Sequence, residues 1–209
     1  MNQPQEPVWV RRLLGKPGLV SAFLWGLAEG TLFFVVPDVL ITLAAMFRPR
    51  RALLQAGAAV AGAVLAGALL YTWASASPDS ARSAVDAVPF VESNAFVFAS
   101  IDLYFDGARA VLYGPLRGIP YKVYAVTAPQ YMGLTDFLLL TIPARLWRFL
   151  LTGLVFALIG QMLKTGWLPF VGDLRPYYTP RLMLLVHLAL WVVFYALYWG
   201  ILLPVILRF

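Results

Sequence analysis

The sequence contains no cysteine and a single histidine, His187, among its 209 residues. Without cysteine the chain has no disulfide framework, no thiolate metal site and no cysteine nucleophile. One histidine is too few for a histidine-based zinc site or for a pair of catalytic histidines. We therefore predict no metal and no cofactor, and the enzyme classes that depend on these residues are excluded.

Charged residues are also scarce, at 12% of the chain against 61% hydrophobic residues, and the mean hydropathy is +0.78. Soluble globular proteins average about 25% charged residues. Several apolar runs approach or exceed the ~20 residues that a transmembrane helix needs, so an all-α polytopic membrane protein is predicted. The net charge is +6, but the basic residues lie at the ends of apolar runs. Membrane topology and anionic headgroups account for that placement, and no nucleic-acid partner is expected.

The first apolar region covers residues 18–47 and has basic residues on both sides: Arg11, Arg12 and Lys16 before it, and Arg48, Arg50 and Arg51 after it. Because basic residues mark the cytoplasmic side, both ends of this region and the N-terminal segment 1–17 are predicted to be cytoplasmic. A stretch of about 30 residues is too short for two crossings, so we predict a re-entrant hairpin that turns near Pro37. The paired arginines also resemble a twin-arginine export signal. Since the apolar run continues to Phe47, a retained segment is expected.

A clear span follows over residues 52–74. It is rich in small residues, and Gly62 and Gly67 are predicted to let a neighbouring helix approach closely. The same pattern also suits packing between copies of the chain, so a homo-oligomer is an alternative. Residues 75–112 are predicted to form an outer loop and an amphipathic interfacial helix.

The second half contains another interrupted apolar stretch, residues 113–133, whose prolines and glycines rule out an uninterrupted span. We predict a second re-entrant segment here, followed by a span over 135–166 in which Pro143 marks a kink or a helix start. Residues 167–209 are predicted to hold a connecting loop and a last span that starts at Thr179-Pro180 and runs to about Leu207. The predicted fold is therefore two facing re-entrant helical hairpins, arranged like an inverted repeat, with about three full transmembrane helices.

The two broken segments carry charges of opposite sign. Glu29 and Asp38 belong to the first, while Lys122 follows Pro120 in the second. Paired interrupted segments in corresponding positions are the best sequence indication of a transporter's binding site. A charge at the bilayer centre costs at least ~2.5–3.5 kcal/mol, so two acids in one apolar run need a partner or water. We predict that Glu29 and Asp38 take part in proton or ion coupling; the alternative is that an acid only neutralises an arginine.

Arg145 and Arg148 are three residues apart and therefore share a helix face. If Pro143 starts their helix, the helix N-terminus and the arginines together favour a phosphate. We predict that Lys122, Arg145 and Arg148 bind a lipid phosphate; snorkelling to the membrane surface is the alternative. Arg117 is expected to be solvated. His187, among leucines and aromatics of the last span, is expected to be packed or interfacial; a proton relay is the alternative.

Five motifs in order resemble the DedA or VTT-domain (SNARE-associated Golgi protein) superfamily, and its YqaA-like branch most. The first stretch, AEGTLFFVVPDVLI, contains two of them, the acid Glu29 and the pair Pro37-Asp38. The other three are GAVLAGALLYTWA, GIPYKV and PARLWRF. The residues that carry the resemblance are Glu29, Pro37, Asp38, Gly62, Gly67, Tyr71, Pro120, Lys122, Arg145 and Arg148. The chain departs from the family pattern at Ala66, Pro129 and Ala144.

The resemblance implies a membrane domain with two facing re-entrant hairpins, in which Pro37, Pro120, Gly62, Gly67 and Tyr71 are structural. It also implies lipid translocation, of undecaprenyl phosphate or another phospholipid, and in several members dependence on a proton gradient. The expected partner is an anionic membrane lipid, and the expected location is a bacterial inner membrane. An uncoupled phospholipid scramblase and a non-transporting assembly protein are the alternatives. An enzyme is not expected, because the chain has one histidine and no serine in a protease-like Gly-x-Ser context.

Overall fold

The computed structural model describes residues 6–114, 117–166, 179–198 and 200, and within these ranges the chain is helical without strands. A short 3₁₀ helix, Ala128–Gln130, follows the eighth α-helix. The α-helices of the described ranges are α1 Val8–Leu14, α2 Lys16–Gly30, α3 Asp38–Phe47, α4 Pro49–Ala76, α5 Pro78–Asp86, α6 Asn94–Asp106, α7 Ala108–Tyr113, α8 Tyr121–Thr127, α9 Leu134–Thr165 and α10 Pro180–Leu197.

Three of these helices, α4, α9 and α10, are long and apolar enough to cross a membrane, with 28, 32 and 18 residues. This confirms the predicted all-α class with three candidate spans, which by length and composition indicate a membrane protein. The predicted start of the last span is also present, because the Thr179 hydroxyl accepts a hydrogen bond from the Leu182 N–H at 3.2 Å and caps α10. The connecting loop over residues 167–178 and the predicted end of this span, residues 201–209, lie outside the described residues.

One local feature differs from the sequence prediction, and a second decides between two predicted alternatives. The polar stretch predicted as an outer loop contains a helix, α5, between Ser77 and Ala87. Pro143 lies inside α9 and does not start it, so Arg145 and Arg148 are in the middle of a long helix. A helix N-terminus therefore does not assist these arginines in holding an anion.

Helices α2 and α4 run in the same direction and pack closely along their length. A Cβ atom at Gly26 would clash with the backbone of Ala59, and one at Gly30 would clash with the side chain of Ala66. Near the start of α4, the Gln55 amide donates to the Leu13 carbonyl of α1 at 2.6 Å. Small residues at these positions allow the two backbones to touch.

The chain turns back between α2 and α3, over residues 31–37. The Trp25 indole N–H donates to the Val35 carbonyl at 2.9 Å and holds this irregular segment against α2. At the other end of the unit, Trp9 contacts Phe47 with ring centroids 5.7 Å apart, and Arg48 pairs with Glu6 at 2.6 Å. The chain therefore leaves the α1–α3 unit at the end where it entered.

The helical path is interrupted at residues 31–37 and a second time before α8, and we call these two places the interruptions. All seven residues of α8 are buried. The Tyr121 hydroxyl, at the start of α8, lies 3.4 Å from the Ala63 carbonyl of α4. Gly30, the last residue of α2, lies against the same turn of α4. The two interruptions thus meet beside one level of α4.

Candidate functional site

A cavity of ≈ 230 Å³ lies where the two interruptions meet. Its walls come from both halves of the chain and from α10, and they include all five charged residues predicted for the site: Glu29, Asp38, Lys122, Arg145 and Arg148. The structure therefore brings together acids and bases that are far apart in the sequence. A second cavity of ≈ 290 Å³ lies between α3, α4 and α9 and is lined mainly by alanine, leucine and glycine, so it offers no charged group to a ligand.

Glu29 and Arg145 form a buried, bidentate ion pair. Arg145 Nη2 donates to Glu29 Oε2 at 2.7 Å, and Nη1 donates to Oε1 at 3.3 Å. The guanidinium also stacks over the Tyr121 ring at 4.3 Å, and its Nε has no hydrogen-bond partner among the described residues. The pair ties the end of α2 to α9 and to the start of α8, so it fixes the relative position of both interruptions.

Asp38 and Arg148 form the second ion pair. Arg148 Nη2 lies 3.0 Å from Asp38 Oδ2, and the arginine side chain is 21% exposed against 2% for the aspartate. The other carboxylate oxygen, Oδ1, accepts a hydrogen bond from the Thr152 hydroxyl at 2.9 Å. Asp38 is also the first residue of α3, where the helix dipole favours a negative charge.

Lys122 lies between the two interruptions. Its Nζ donates to the Phe33 carbonyl at 2.6 Å, and the residue is 2% exposed. A lysine inside the fold that contacts one carbonyl keeps two further N–H donors, and its side chain lines the cavity. Because it is buried, Lys122 does not snorkel to the surface of the chain.

The structural positions predicted from the sequence lie in or against the helices that carry the site, and Pro120 also lines the cavity. Pro37 and Pro120 directly precede α3 and α8. Gly62 contacts the backbone of α2, and Gly67 lies under the Tyr121 hydroxyl. The Tyr71 hydroxyl donates to the Met132 carbonyl at 2.7 Å and holds the chain that follows α8 against α4.

The sequence did not indicate the part that α10 plays. Thr42 Oγ1 donates to the Asp38 carbonyl at 2.6 Å and accepts from the Trp191 indole N–H at 3.0 Å. His187 Nε2 lies 3.0 Å from the same hydroxyl. His187 is fully buried, as expected for a packed histidine. These contacts span about 145 residues of sequence, so no local pattern could have identified them.

A second charged cluster was also missed. Asp102 was assigned to an interfacial helix, but it is 5% exposed and accepts hydrogen bonds from Arg117 and from the Tyr124 hydroxyl, the latter at 2.8 Å. Arg117, predicted to be solvated, is 55% exposed at its side chain and is anchored by this contact. The cluster attaches α6 to the backbone in front of Pro120.

We expect Asp102→Ala to lower the free energy of unfolding by about 1.5–3 kcal/mol, because it removes a charged acceptor from two donors. Equilibrium unfolding in detergent micelles, followed by circular dichroism, measures this loss. Asp106→Asn is the matched control, since Asp106 is exposed and lies 3.8 Å from the same arginine. Equal losses for the two variants would contradict the assignment of Asp102 as the anchor.

Among the described residues, no three His, Cys, Asp or Glu side chains are placed to hold a metal ion. No family model matches the chain, and no curated protein or solved structure matches it either. The resemblance to the DedA or VTT-domain superfamily therefore stays a prediction from its motifs.

Proposed function

We propose that this protein moves a phosphate-bearing membrane lipid between leaflets, with the headgroup passing through the cavity between the two interruptions. The observation that carries the proposal is a cavity inside an apolar helical protein that is lined by Lys122, Arg145 and Arg148. Basic side chains within a membrane protein mark ion or substrate pathways, because burying them without a function is costly.

The position of the interruptions supports re-entrant hairpins. If α4 spans the bilayer, the end of α2 beside Ala66 lies short of the end of α4 at Ala76 by ten residues. Ten residues of helix correspond to about 15 Å, while the 28 residues of α4 span about 42 Å. A hydrocarbon core of about 30 Å centred on α4 would therefore leave the end of α2 roughly 9 Å inside it. Irregular backbone at that depth is tolerated only where protein buries it or where it lines a water-filled cavity. Val36 of the first interruption and Ile119 of the second line the cavity, whereas Leu32 and Phe33 are 51% and 40% exposed on the chain and would contact lipid.

The charges of the cavity favour an anion. Three bases face two acids, so the site carries a net charge of +1 when all five are ionised (3 − 2). A phosphodiester headgroup with one negative charge would neutralise it. Protonation of Glu29 or Asp38 would raise the charge to +2, which suits a phosphomonoester such as a prenyl phosphate, with a charge of about −1.5 to −2 at pH 7. Proton coupling is part of the proposal on this ground.

The lipid tail needs no aqueous path, since it can stay in the bilayer while the headgroup crosses. Apolar side chains cover the outer faces of α9 and α10, including Leu150, Leu154, Val192 and Val193, which are exposed on the chain and suit contact with lipid. The basic flanks of residues 18–47 support a cytoplasmic N-terminus. We place the protein in a bacterial inner membrane, in line with the motif resemblance.

Two alternatives share some of these features. An uncoupled scramblase would use the same cavity and would exchange lipid without a gradient. A non-transporting assembly protein would use its small residues to bind another chain, but Gly62 and Gly67 are buried within this chain. Enzyme chemistry has less support, since the only histidine is packed behind Thr42.

We expect the purified protein, reconstituted in phosphatidylcholine vesicles with labelled phosphatidylglycerol or undecaprenyl phosphate, to accelerate leaflet exchange. Arg148→Ala should lower the exchange rate at least about tenfold, because it removes a phosphate ligand. Quenching of the outer-leaflet label measures exchange with and without a pH gradient.

Asp79→Asn is the control, since it changes the charge of an exposed residue on α5. Exchange of neither lipid, or equal rates for wild type, Glu29→Ala and Arg148→Ala, would contradict lipid transport. An exchange rate that is the same with and without the pH gradient would favour the uncoupled scramblase.

A further inference from the structure

The two ion pairs of the cavity differ in how firmly they are joined. Arg145 and Glu29 share two hydrogen bonds and are both buried. Arg148 and Asp38 approach to 3.0 Å, against 2.7 Å in the first pair, and no hydrogen bond joins them. Arg148 Nε and Nη2 and Asp38 Oδ2 are buried atoms that have no hydrogen-bond partner in the described part of the chain. The first pair is a fixed contact, and the second is held by charge alone.

Asp38 does not depend on Arg148 for its place. Its other oxygen is held by Thr152 at 2.9 Å, and its carboxylate lies at the first turn of α3. The neighbouring Thr42 hydroxyl fixes the Asp38 backbone carbonyl at 2.6 Å. The carboxylate can therefore lose the arginine and keep a hydrogen bond and a favourable helix dipole.

Arg148 has the geometry to accept a different anion. Its Nε and Nη2 form one edge of the guanidinium, and such an edge binds two oxygens of a phosphate side by side. Arg148 is the more exposed member of its pair, at 21%, and it lines the cavity. Arg145 has no comparable freedom, since its two Nη atoms are bound to Glu29. Both guanidiniums lie over a ring, Arg145 over Tyr121 at 4.3 Å and Arg148 over Phe149 at 5.0 Å, so the hydrogen bonds to the acid make the difference.

We propose that Asp38 is a built-in competitor that occupies the phosphate position of Arg148 until a ligand phosphate displaces it, whereas Glu29–Arg145 stays closed. The identity of that ligand as a lipid headgroup rests on the proposed function. The exchange keeps Arg148 paired with an anion at every stage, while the buried Asp38 keeps the Thr152 hydroxyl and the helix dipole of α3 as its remaining partners. It also weakens binding enough for the phosphate to leave, which transport requires.

The test is calorimetric titration of the full chain in a neutral detergent with two probes, inorganic phosphate and dihexanoyl phosphatidic acid. Asp38→Asn should bind both probes about tenfold more tightly than wild type, because the charged competitor for Arg148 is gone. Contacts between close opposite charges in an interface contribute a factor of about ten or more. Arg148→Gln should abolish binding of both. Asp79→Asn is the control for net charge and should bind like wild type.

Thr152→Val gives an independent test of opposite sign. It is close to isosteric and removes the hydroxyl that holds Asp38 Oδ1. The carboxylate then depends more on Arg148, so phosphate should bind several-fold more weakly than to wild type. A thermal melt of each variant verifies that the fold is kept.

Unchanged or weaker binding in Asp38→Asn, or unchanged binding in Thr152→Val, would overturn the competition even if the protein moves lipid. Tighter binding of dihexanoyl phosphatidic acid than of inorganic phosphate supports a lipid headgroup as the ligand. Equal affinity for the two probes would assign the site to free phosphate, which would overturn the proposed function and leave the competition standing.

Discussion

Arg145→Met is expected to lower the free energy of unfolding by about 3–5 kcal/mol, because it leaves the Glu29 carboxylate buried without its partner. Glu29 is 6% exposed, and its hydrogen bonds to Arg145 are the side-chain contacts that balance its charge. The variant also loses the stacking of the guanidinium over Tyr121. Equilibrium unfolding in detergent micelles, followed by tryptophan fluorescence, measures the loss.

Two controls separate the buried charge from the lost packing. The double variant Glu29→Gln/Arg145→Met should recover much of the loss, because neither residue is then charged. Arg148→Met is matched in helix, residue type and acidic partner, but Arg148 is 21% exposed and lacks hydrogen bonds to Asp38, so its loss should be smaller. A loss for Arg145→Met no larger than for Arg148→Met would show that the Glu29–Arg145 pair does not hold the interruptions together.

Gly62→Leu is expected to cost at least about 3 kcal/mol, at the upper end of the range for overpacked cores. A Cβ at this position falls on the Phe23 carbonyl and the Leu27 amide, which are backbone atoms of α2 and cannot turn aside. The leucine must push α2 away from α4, and Glu29 moves with α2. We therefore expect loss of lipid exchange together with loss of stability.

Gly57→Leu is the matched control within α4. Gly57 is exposed and has nothing within 4 Å of its Cβ position, so a leucine there should be neutral or slightly stabilising through its better helix propensity. Unfolding midpoints and exchange rates in vesicles are compared for both variants. Similar stability of the two leucine variants would mean that α2 and α4 are not in backbone contact.

The sequence by itself determined the class of the protein and the places where its helices break. Helices α4, α9 and α10 follow from long apolar runs, since hydropathy is a local property of the chain. The interruptions before α3 and α8 follow from Pro37 and Pro120, and the start of α10 follows from Thr179, because proline and capping chemistry act within a few residues. The five charged residues of the site were identifiable, because each is costly in an apolar segment.

Only the tertiary structure decided which charges pair. Glu29 and Arg145 are separated by 116 positions, and their contact depends on the rotation and height of α2 against α9. The rotation and height of α2 are set by the glycines at which its backbone touches α4. This packing joins segments far apart in the sequence, so a local sequence pattern does not predict it. The same reason explains why Asp102, Thr152 and His187 were not recognised as partners. It also explains why the sequence left Pro143 as either a kink or a helix start, a choice that α9 decides by continuing through the proline. Local chemistry fixed where the chain can bend, and packing between distant segments fixed what faces the cavity.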